Sequence, residues 1–508
     1  MIEASGLAAA GVPLPGSAGL ECRTVGHYVY TASRPVAQVE TAKRVGPAER
    51  ATASYPRTFR SEWARQSADL ESSLSTLDAV DLDDASPRLL AEFYRNAVDA
   101  HMHAWTVHFD VMYRLLLVHQ RFIARCREFD VDGQQILDSL QSQRNKITDT
   151  DTELRELAMH ARQHHLSMFV ENAGDDLLHA LQRSAAADSW LHRFERLLLD
   201  YGNRSERVID VGAPSWREEP TLPLDMIRLL AVHPPGHRSS DEQEPHSHRG
   251  SRSIIGSAAP AVRTPLRDAV ADVRRANYAW WNEEHNFYID FRAHLPIRRV
   301  GLAIGQRFLD RADDALMLFG NELMELCNGD LTAHEARRHI ASRKTFHSEW
   351  ARRRVDLPAT LGDGDTGDPI IEQVFGSHPK PGVPAKDGRG SPGLRPSGLQ
   401  LTGYGVGPGV ARGTVRIIRS PDDLDRLQPG DIMVCVGTTP SWLSAFSRVA
   451  ACVCELGGPL SHGAIAARET STPCVVGVVG ATAELADGDM IEVNGANGTV
   501  TRLELPAT

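Results

Sequence analysis

The sequence predicts a multidomain chain, a large, mostly α-helical domain followed by a small α/β domain. Three observations predict it. Across residues 50–350, apolar positions recur every three or four residues with polar ones between, the period of helices that bury one face. After a stretch rich in Pro, Gly and Lys the pattern changes to short β-like runs separated by turns. A length of 508 residues has room for two to four domains.

The helical runs are expected over 89–126, 152–165, 175–201, 265–304 and 305–327, and Leu115-Leu-Leu-Val118 and Leu197-Leu-Leu199 read as buried bundle faces. Residues 1–50 read as a loose N-terminal segment, and the first 20 lack the basic region of a signal peptide. The helical domain spans 51–375. Within it, 235–260 is polar and turn-rich and reads as a mobile insertion, whose His237, His246 and His248 read as solvated. Residues 376–398 read as a linker. The α/β domain spans 399–508, with strands expected over 410–419, 431–436, 449–454, 474–479, 490–494 and 499–505. A short echo, Thr58-Phe-Arg-Ser-Glu-Trp63 and Thr345-Phe-His-Ser-Glu-Trp350, brackets the helical region as two possible entry turns.

Composition narrows the function. With 42% hydrophobic and 24% charged residues the chain is of the globular class. A net charge of −11 gives no basic footprint for nucleic acid, and no run of 18 apolar residues offers a membrane span. Seven scattered cysteines fit a reducing cytoplasm. Cys452 and Cys454 would share one face of an apolar strand without a second ligand pair at zinc spacing, so no metal site is expected.

The chemistry concentrates in Glu455-Leu-Gly-Gly-Pro-Leu-Ser-His-Gly-Ala-Ile-Ala-Ala-Arg-Glu469. An apolar run, Val449-Ala-Ala-Cys-Val-Cys454, leads in, and helical spacing follows. The pattern is strand, Gly-rich turn, then a helix starting near His462. A helix N-terminus offers free N–H groups and a positive dipole end to a phosphoryl group. Neutral imidazole accepts a phosphoryl group near neutral pH, so His462 reads as a phosphohistidine. Gly457 and Gly458 would let the backbone approach phosphate oxygens, and Ser461 would cap the helix or donate a hydrogen bond. Arg468, six residues on, points away from His462 at about 100° per residue. It suits a docking surface or a carboxylate as well as the phosphoryl group.

The same residues resemble a known family. GGxxSHxAIxARE, followed by Thr472-Pro-Cys-Val-Val-Gly477, is similar to the mobile, swivelling phosphohistidine domain of the phosphoenolpyruvate-utilising enzymes. Gly403-Tyr-Gly-Val-Gly-Pro-Gly-Val-Ala-Arg-Gly-Thr-Val-Arg416 resembles its opening strand and turn. Thr438-Thr-Pro-Ser-Trp442 resembles the TDPxW turn of the rifampin phosphotransferase and phenylphosphate synthase branch, with Thr439 where Asp is usual. In the helical part, Trp281-Asn-Glu-Glu-His-Asn-Phe-Tyr-Ile-Asp290 is similar to that branch's EDHNFYID helix. Tyr201-Gly-Asn-Arg-Ser205 with Ser215-Trp-Arg-Glu-Glu-Pro220 makes a second patch, and Asn145-Lys146 leading into Asp151-Thr-Glu-Leu-Arg-Glu-Leu157 a weaker third.

The resemblance implies a dikinase-type phosphotransferase in which ATP is split to AMP and phosphate with Mg²⁺ at the nucleotide site. No ATP-grasp nucleotide domain is legible here, and no (β/α)₈ barrel follows His462, so ATP and Mg²⁺ are expected mainly on a separate ATP-grasp subunit. This layout resembles the His-bearing subunit of phenylphosphate synthase and alkylphenol-phosphorylating enzymes, and implies a small phenolic or alcohol acceptor. A rifampin-type component, a phosphohistidine carrier serving another protein, and a degenerate binding module are the alternatives.

The acceptor step needs cations, a base and a pocket. Glu284, Tyr288 and Arg292 at i, i+4 and i+8 would form one helical stripe, with His285, Arg298 and Arg299 adjacent. Glu284 or His285 would take the proton, and the arginines would clamp the phosphoryl group. Internal salt bridges are the competing use. His101, Trp105 and His108 fit one helical face and suit a ring pocket or plain core packing.

Overall fold

The structure, a computed structural model, describes residues 16–25, 28–131, 133–138, 144–205, 210–232, 255–256, 258–352, 374, 399–407, 409–419, 421–438, 442–446 and 448–503. The expected linker at 376–398, most of the 235–260 insertion with its three histidines, and Thr439 lie outside these residues. The chain divides into two compact units. One comprises Met1–Arg114, Asn203–Ser215 and His285–Gly364, the other Leu115–Gly202, Trp216–Glu284 and Asp365–Thr508. The helical region expected as one domain thus contributes to both, and the chain changes unit inside the Pro87–Glu128 and Tyr278–Tyr288 helices.

The first unit is mostly helical. The expected loose segment 1–50 instead contains an antiparallel hairpin, β1 (Ser17–Val25) with β2 (Tyr28–Pro35), and the start of a Gln38–Thr52 helix. Alternating β-branched and aromatic residues such as Val29 and Tyr30 supply the strand preference. The core is built by Leu90, Phe93, Ala97, Val300, Ile304, Leu323, Leu326 and Ile340 from helices far apart in sequence. Both copies of the Thr-Phe-x-Ser-Glu-Trp echo lie inside helices, Tyr55–Asp78 and Ala333–Arg352, and mark no entry turns.

The run expected over 265–304 is three helices, Arg263–Arg275, Tyr278–Tyr288 and Leu295–Phe308. Pro296, at the start of the last, explains the second break. Its ring would clash with the carbonyl of Arg292 in a continuous helix. Arg292 therefore does not continue the Glu284–Tyr288 stripe. The run 305–327 also breaks, giving Ala312–Met317 as a 3₁₀ turn and Gly320–Asn328 as a helix.

The second unit combines a helical layer and a mixed sheet. Leu154, Leu157, Trp190, Phe194, Trp216, Leu224 and Ile227 form the helical core. The Lys146–His164 helix begins with a capping box, in which the Asn145 side chain accepts from the N–H groups of Ile147 and Thr148. The sheet strands are β3 (Gln400–Thr402), β4 (Tyr404–Gly407), β5 (Val410–Ile418), β6 (Ile432–Cys435), β7 (Ala451–Cys454), β8 (Cys474–Val476), β9 (Met490–Asn494) and β10 (Thr499–Arg502). Their order is β3-β10-β9-β5-β6-β7-β8-β4. Strands β5 to β8 are mutually parallel, and the remaining pairings are antiparallel. Strands β6, β7 and β8 are wholly buried, as a parallel centre requires. This matches the expected mostly helical chain with a small α/β domain at its C-terminal end. Among the described residues, no helix is long and apolar enough to cross a membrane.

Candidate active site

The His462–Glu469 helix crosses from β7 to β8, and His462 is its first residue, beyond the C-terminal end of β7. In parallel sheets this end of the strands is where ligands bind. The turn before it needs glycine. Gly457 has φ +117°, and a Cβ there would come within 2.6 Å of the Ser461 hydroxyl. Gly458 donates its N–H to the carbonyl of Val374. Arg468 folds back and donates to the Pro459 carbonyl at 2.6 Å, tying the helix to the turn that carries His462. Ser461 is the N-cap residue but makes no side-chain cap bond.

The two imidazole nitrogens face different groups. Nδ1 lies 3.1 Å from the Thr438 hydroxyl, and Nε2 lies 3.5 Å from a Glu283 carboxylate oxygen. Glu283 is 1% exposed and His462 10%. A hydrogen on Nδ1 donated to Thr438 leaves the lone pair on Nε2, the tautomer a nucleophile at Nε2 requires. Gly463 keeps this contact possible, because a Cβ there would meet the Thr438 hydroxyl at 3.1 Å. Two further carboxyls complete the acidic surroundings. Burial pushes the Glu469 carboxyl well above the usual range, and repulsion from Glu283 and Asp151 adds to it. Asp151, on the Lys146–His164 helix, is paired with Arg155 at 2.8 Å.

Glu284, expected as a base, accepts at 2.7 Å from the backbone N–H of Lys146 and so caps that helix. The residue against His462 is its neighbour Glu283, which sequence reasoning passed over. One signal pointed to it: Glu283 holds the first acidic position of the EDHNFYID-like stretch.

The remaining candidates belong to the other unit. There the fold joins two groups that were read separately, since the rings of His108 and His285 are 4.6 Å apart. Trp105 lies 4.8 Å from His108 and 6.2 Å from His101. The Nδ1–H of His101 donates to the Ala293 carbonyl at 3.2 Å. Burial and His285 hold His108 well below the ordinary imidazole range, while burial and His101 push His294 down to about 4. The Tyr288 ring packs edge-on against Trp63 at 5.9 Å. The arginines are engaged. Arg292 bonds Glu71, Ser75 and Asp78, Arg298 bonds the Val211 carbonyl, and Arg299 bonds the Leu77 and Val80 carbonyls.

On the face of the sheet, Cys452 and Cys454 lie 3.6 Å apart, and Cys454 lies 3.7 Å from Cys435 of β6. Cys126, Cys327, Cys435, Cys452, Cys454 and Cys474 are buried and free.

Residues 427–498 match the mobile domain of the PEP-utilising enzymes, and 103–278 match the fourth domain of rifampicin phosphotransferase. The chain is 26% identical to chondramide synthase of Chondromyces crocatus over 99% of its own length and 13% of that protein. It is 25% identical to the uncharacterized phosphotransferase YvkC of Bacillus subtilis over 84% of its length and 50% of that protein. It is 27% identical to rifampicin phosphotransferase of Streptomyces sviceus over 64% of its length and 36% of that protein. The chain thus spans half or less of the length of these relatives. A histidine on a strand–turn–helix, in a domain matching the mobile domain and joined to a helical segment matching the rifampicin phosphotransferase domain, makes this chain similar to the phosphoenolpyruvate-utilising enzymes in both regions.

Proposed function

We propose that this chain is the histidine-bearing component of a dikinase-type phosphotransferase acting in the cytoplasm. A separate ATP-grasp subunit delivers the β-phosphoryl group of ATP to His462, with AMP and phosphate as the other products. His462 then passes the phosphoryl group to the hydroxyl of a small phenolic or alcohol acceptor. The observation that carries this reading is the placement of His462 Nε2 against the buried Glu283 carboxylate, with Thr438 on Nδ1. Nε2 is the phosphoryl carrier, and Glu283 is the base.

In the transfer step the acceptor oxygen attacks phosphorus in line as the P–Nε2 bond breaks. The electron pair returns to Nε2, and the hydroxyl proton goes to Glu283. A gap of 3.5 Å has no room for a phosphoryl group between ring and carboxylate, so this geometry corresponds to the discharged enzyme. A phosphorylated His462, carrying negative oxygens, would be repelled by Glu283 and must stand further off, which favours a domain that moves.

A buried carboxylate facing Nε2 does not suit the phosphates of a nucleotide, and this supports an ATP site on the partner. Glu283, Glu469 and Asp151 are oxygen donors of the kind Mg²⁺ prefers, and would hold it if it enters here. The ion would supply charge neutralisation on the phosphoryl oxygens. The rifampicin-phosphotransferase match over 103–278 favours one variant, an antibiotic hydroxyl as acceptor.

The test combines the chain with a candidate ATP-grasp partner, Mg²⁺ and ATP labelled at the β-phosphate. The expected result is acid-labile, base-stable label on the chain, absent from His462→Ala, that discharges onto a phenol or alcohol. Discharge only onto another protein would instead establish a phosphohistidine carrier. No label with an ATP-binding partner would overturn the relay.

A further inference from the structure

The first unit contains a second group of chemically capable side chains that the phosphoryl relay does not use. One ring nitrogen each from His108 and His285 and a carboxylate oxygen of Asp290 all lie within 4.8 Å of one another. His285 is buried, and its Nε2 is 3.8 Å from Asp290. Three separate features of the chain bring them together. His108 comes from the long Pro87–Glu128 helix. His285 lies in the last turn of the Tyr278–Tyr288 helix. Asp290 follows in the turn forced before Pro296, held by bonds from the Ile289 N–H to the His285 carbonyl and from the Phe291 N–H to the Asn286 carbonyl.

We propose that His108, His285 and Asp290 form a binding site for a divalent first-row transition-metal ion. Two imidazoles and one carboxylate are a ligand set that such ions take while keeping positions open for water or a small oxygen ligand. Ligand atoms around one such ion stand about 3–3.5 Å apart, given bonds of about 2.1 Å. The observed spacing therefore needs only imidazole rotation and a small movement of the Asp290 turn. Trp105 and Phe109, each within 5.0 Å of His108, provide an apolar wall that shields the site from bulk water. This site stands independently of the phosphoryl relay.

The test uses the full-length, tag-free chain, stripped with a chelator and titrated with Co²⁺. The expected result is one equivalent bound, with visible ligand-field absorption, no thiolate charge-transfer band, and a raised melting temperature. His108→Ala and Asp290→Asn should each weaken binding by about tenfold or more. Asp290→Asn is nearly isosteric and decides the matter if His108→Ala fails to fold. Three results overturn the proposal. They are no bound ion, binding unchanged in Asp290→Asn, and a sulfur charge-transfer band placing the ion at Cys435, Cys452 and Cys454, the other ligand cluster among the described residues.

Discussion

The two histidine sites of this molecule are assembled in opposite ways. Around His462, most of what the imidazole needs comes from one short piece of chain. Gly457, Ser461, Gly463 and Arg468 lie within a dozen positions, and Thr438 follows the neighbouring strand β6. Around His108, the fold gathers His285 and Asp290 from the far side of the sequence. A group that carries phosphate between two places must carry its own support, so its environment is local. A group that stays in one place can be built by tertiary packing. The carboxylates Glu283, against His462, and Asp151, which acts on Glu469, are likewise brought in by the fold.

This contrast can be broken at its strongest point first. His462→Ala should abolish phosphoryl labelling and acceptor turnover while leaving Co²⁺ binding and the melting temperature unchanged. Loss of both functions would mean that the sites are one. A smaller effect is expected at Thr438. Thr438→Val should slow phosphorylation of His462 by about tenfold, the worth of about 1.4 kcal/mol of hydrogen bonding, and Thr438→Ser should restore it. Single-turnover labelling measures both. Arg468→Ala removes the tie to Pro459 and should destabilise the α/β domain by about 1.5–3 kcal/mol in urea unfolding.

The subtlest test uses pH, where the regions should respond with opposite sign. The folded-state value of Glu469 is raised, so its contribution to stability is present at acid pH and is lost as pH rises through that value. Glu469→Gln should therefore flatten the loss of stability on the alkaline side. His294 is depressed to about 4, so its contribution is present above about 6.5 and is lost as pH falls toward 4. His294→Gln, measured with chelator present, should flatten the acid side instead. Thermal melts across pH read both slopes.

The sequence revealed most where structure is local. Strand β9 has the bounds its apolar alternation predicts, and the long helix at 87–128 was visible in its three-four period. The strand–turn–helix at His462 was likewise legible, because glycines, serine and histidine sit at fixed offsets. Helix breaks were less visible. Pro296 carried the signal for one, but the apolar period ran on through it. The hairpin β1–β2 was missed because its residues alternate without a large apolar face. Glu283 was missed for a different reason. Helical periodicity cannot tell which of two adjacent glutamates points toward a domain more than 150 positions away, and the choice fell on Glu284, whose carboxylate caps a helix.

Glu283 is also where the account is most exposed. The most direct test charges the wild-type chain and Glu283→Gln with labelled phosphate, removes the partner and ATP, and follows discharge onto an acceptor phenol. The account predicts equal charging of His462 in both and discharge slowed by about 10²–10⁴-fold in Glu283→Gln, the usual worth of a general base. Equal discharge rates would contradict it, because the carboxylate against Nε2 would then take no part in moving the phosphoryl group.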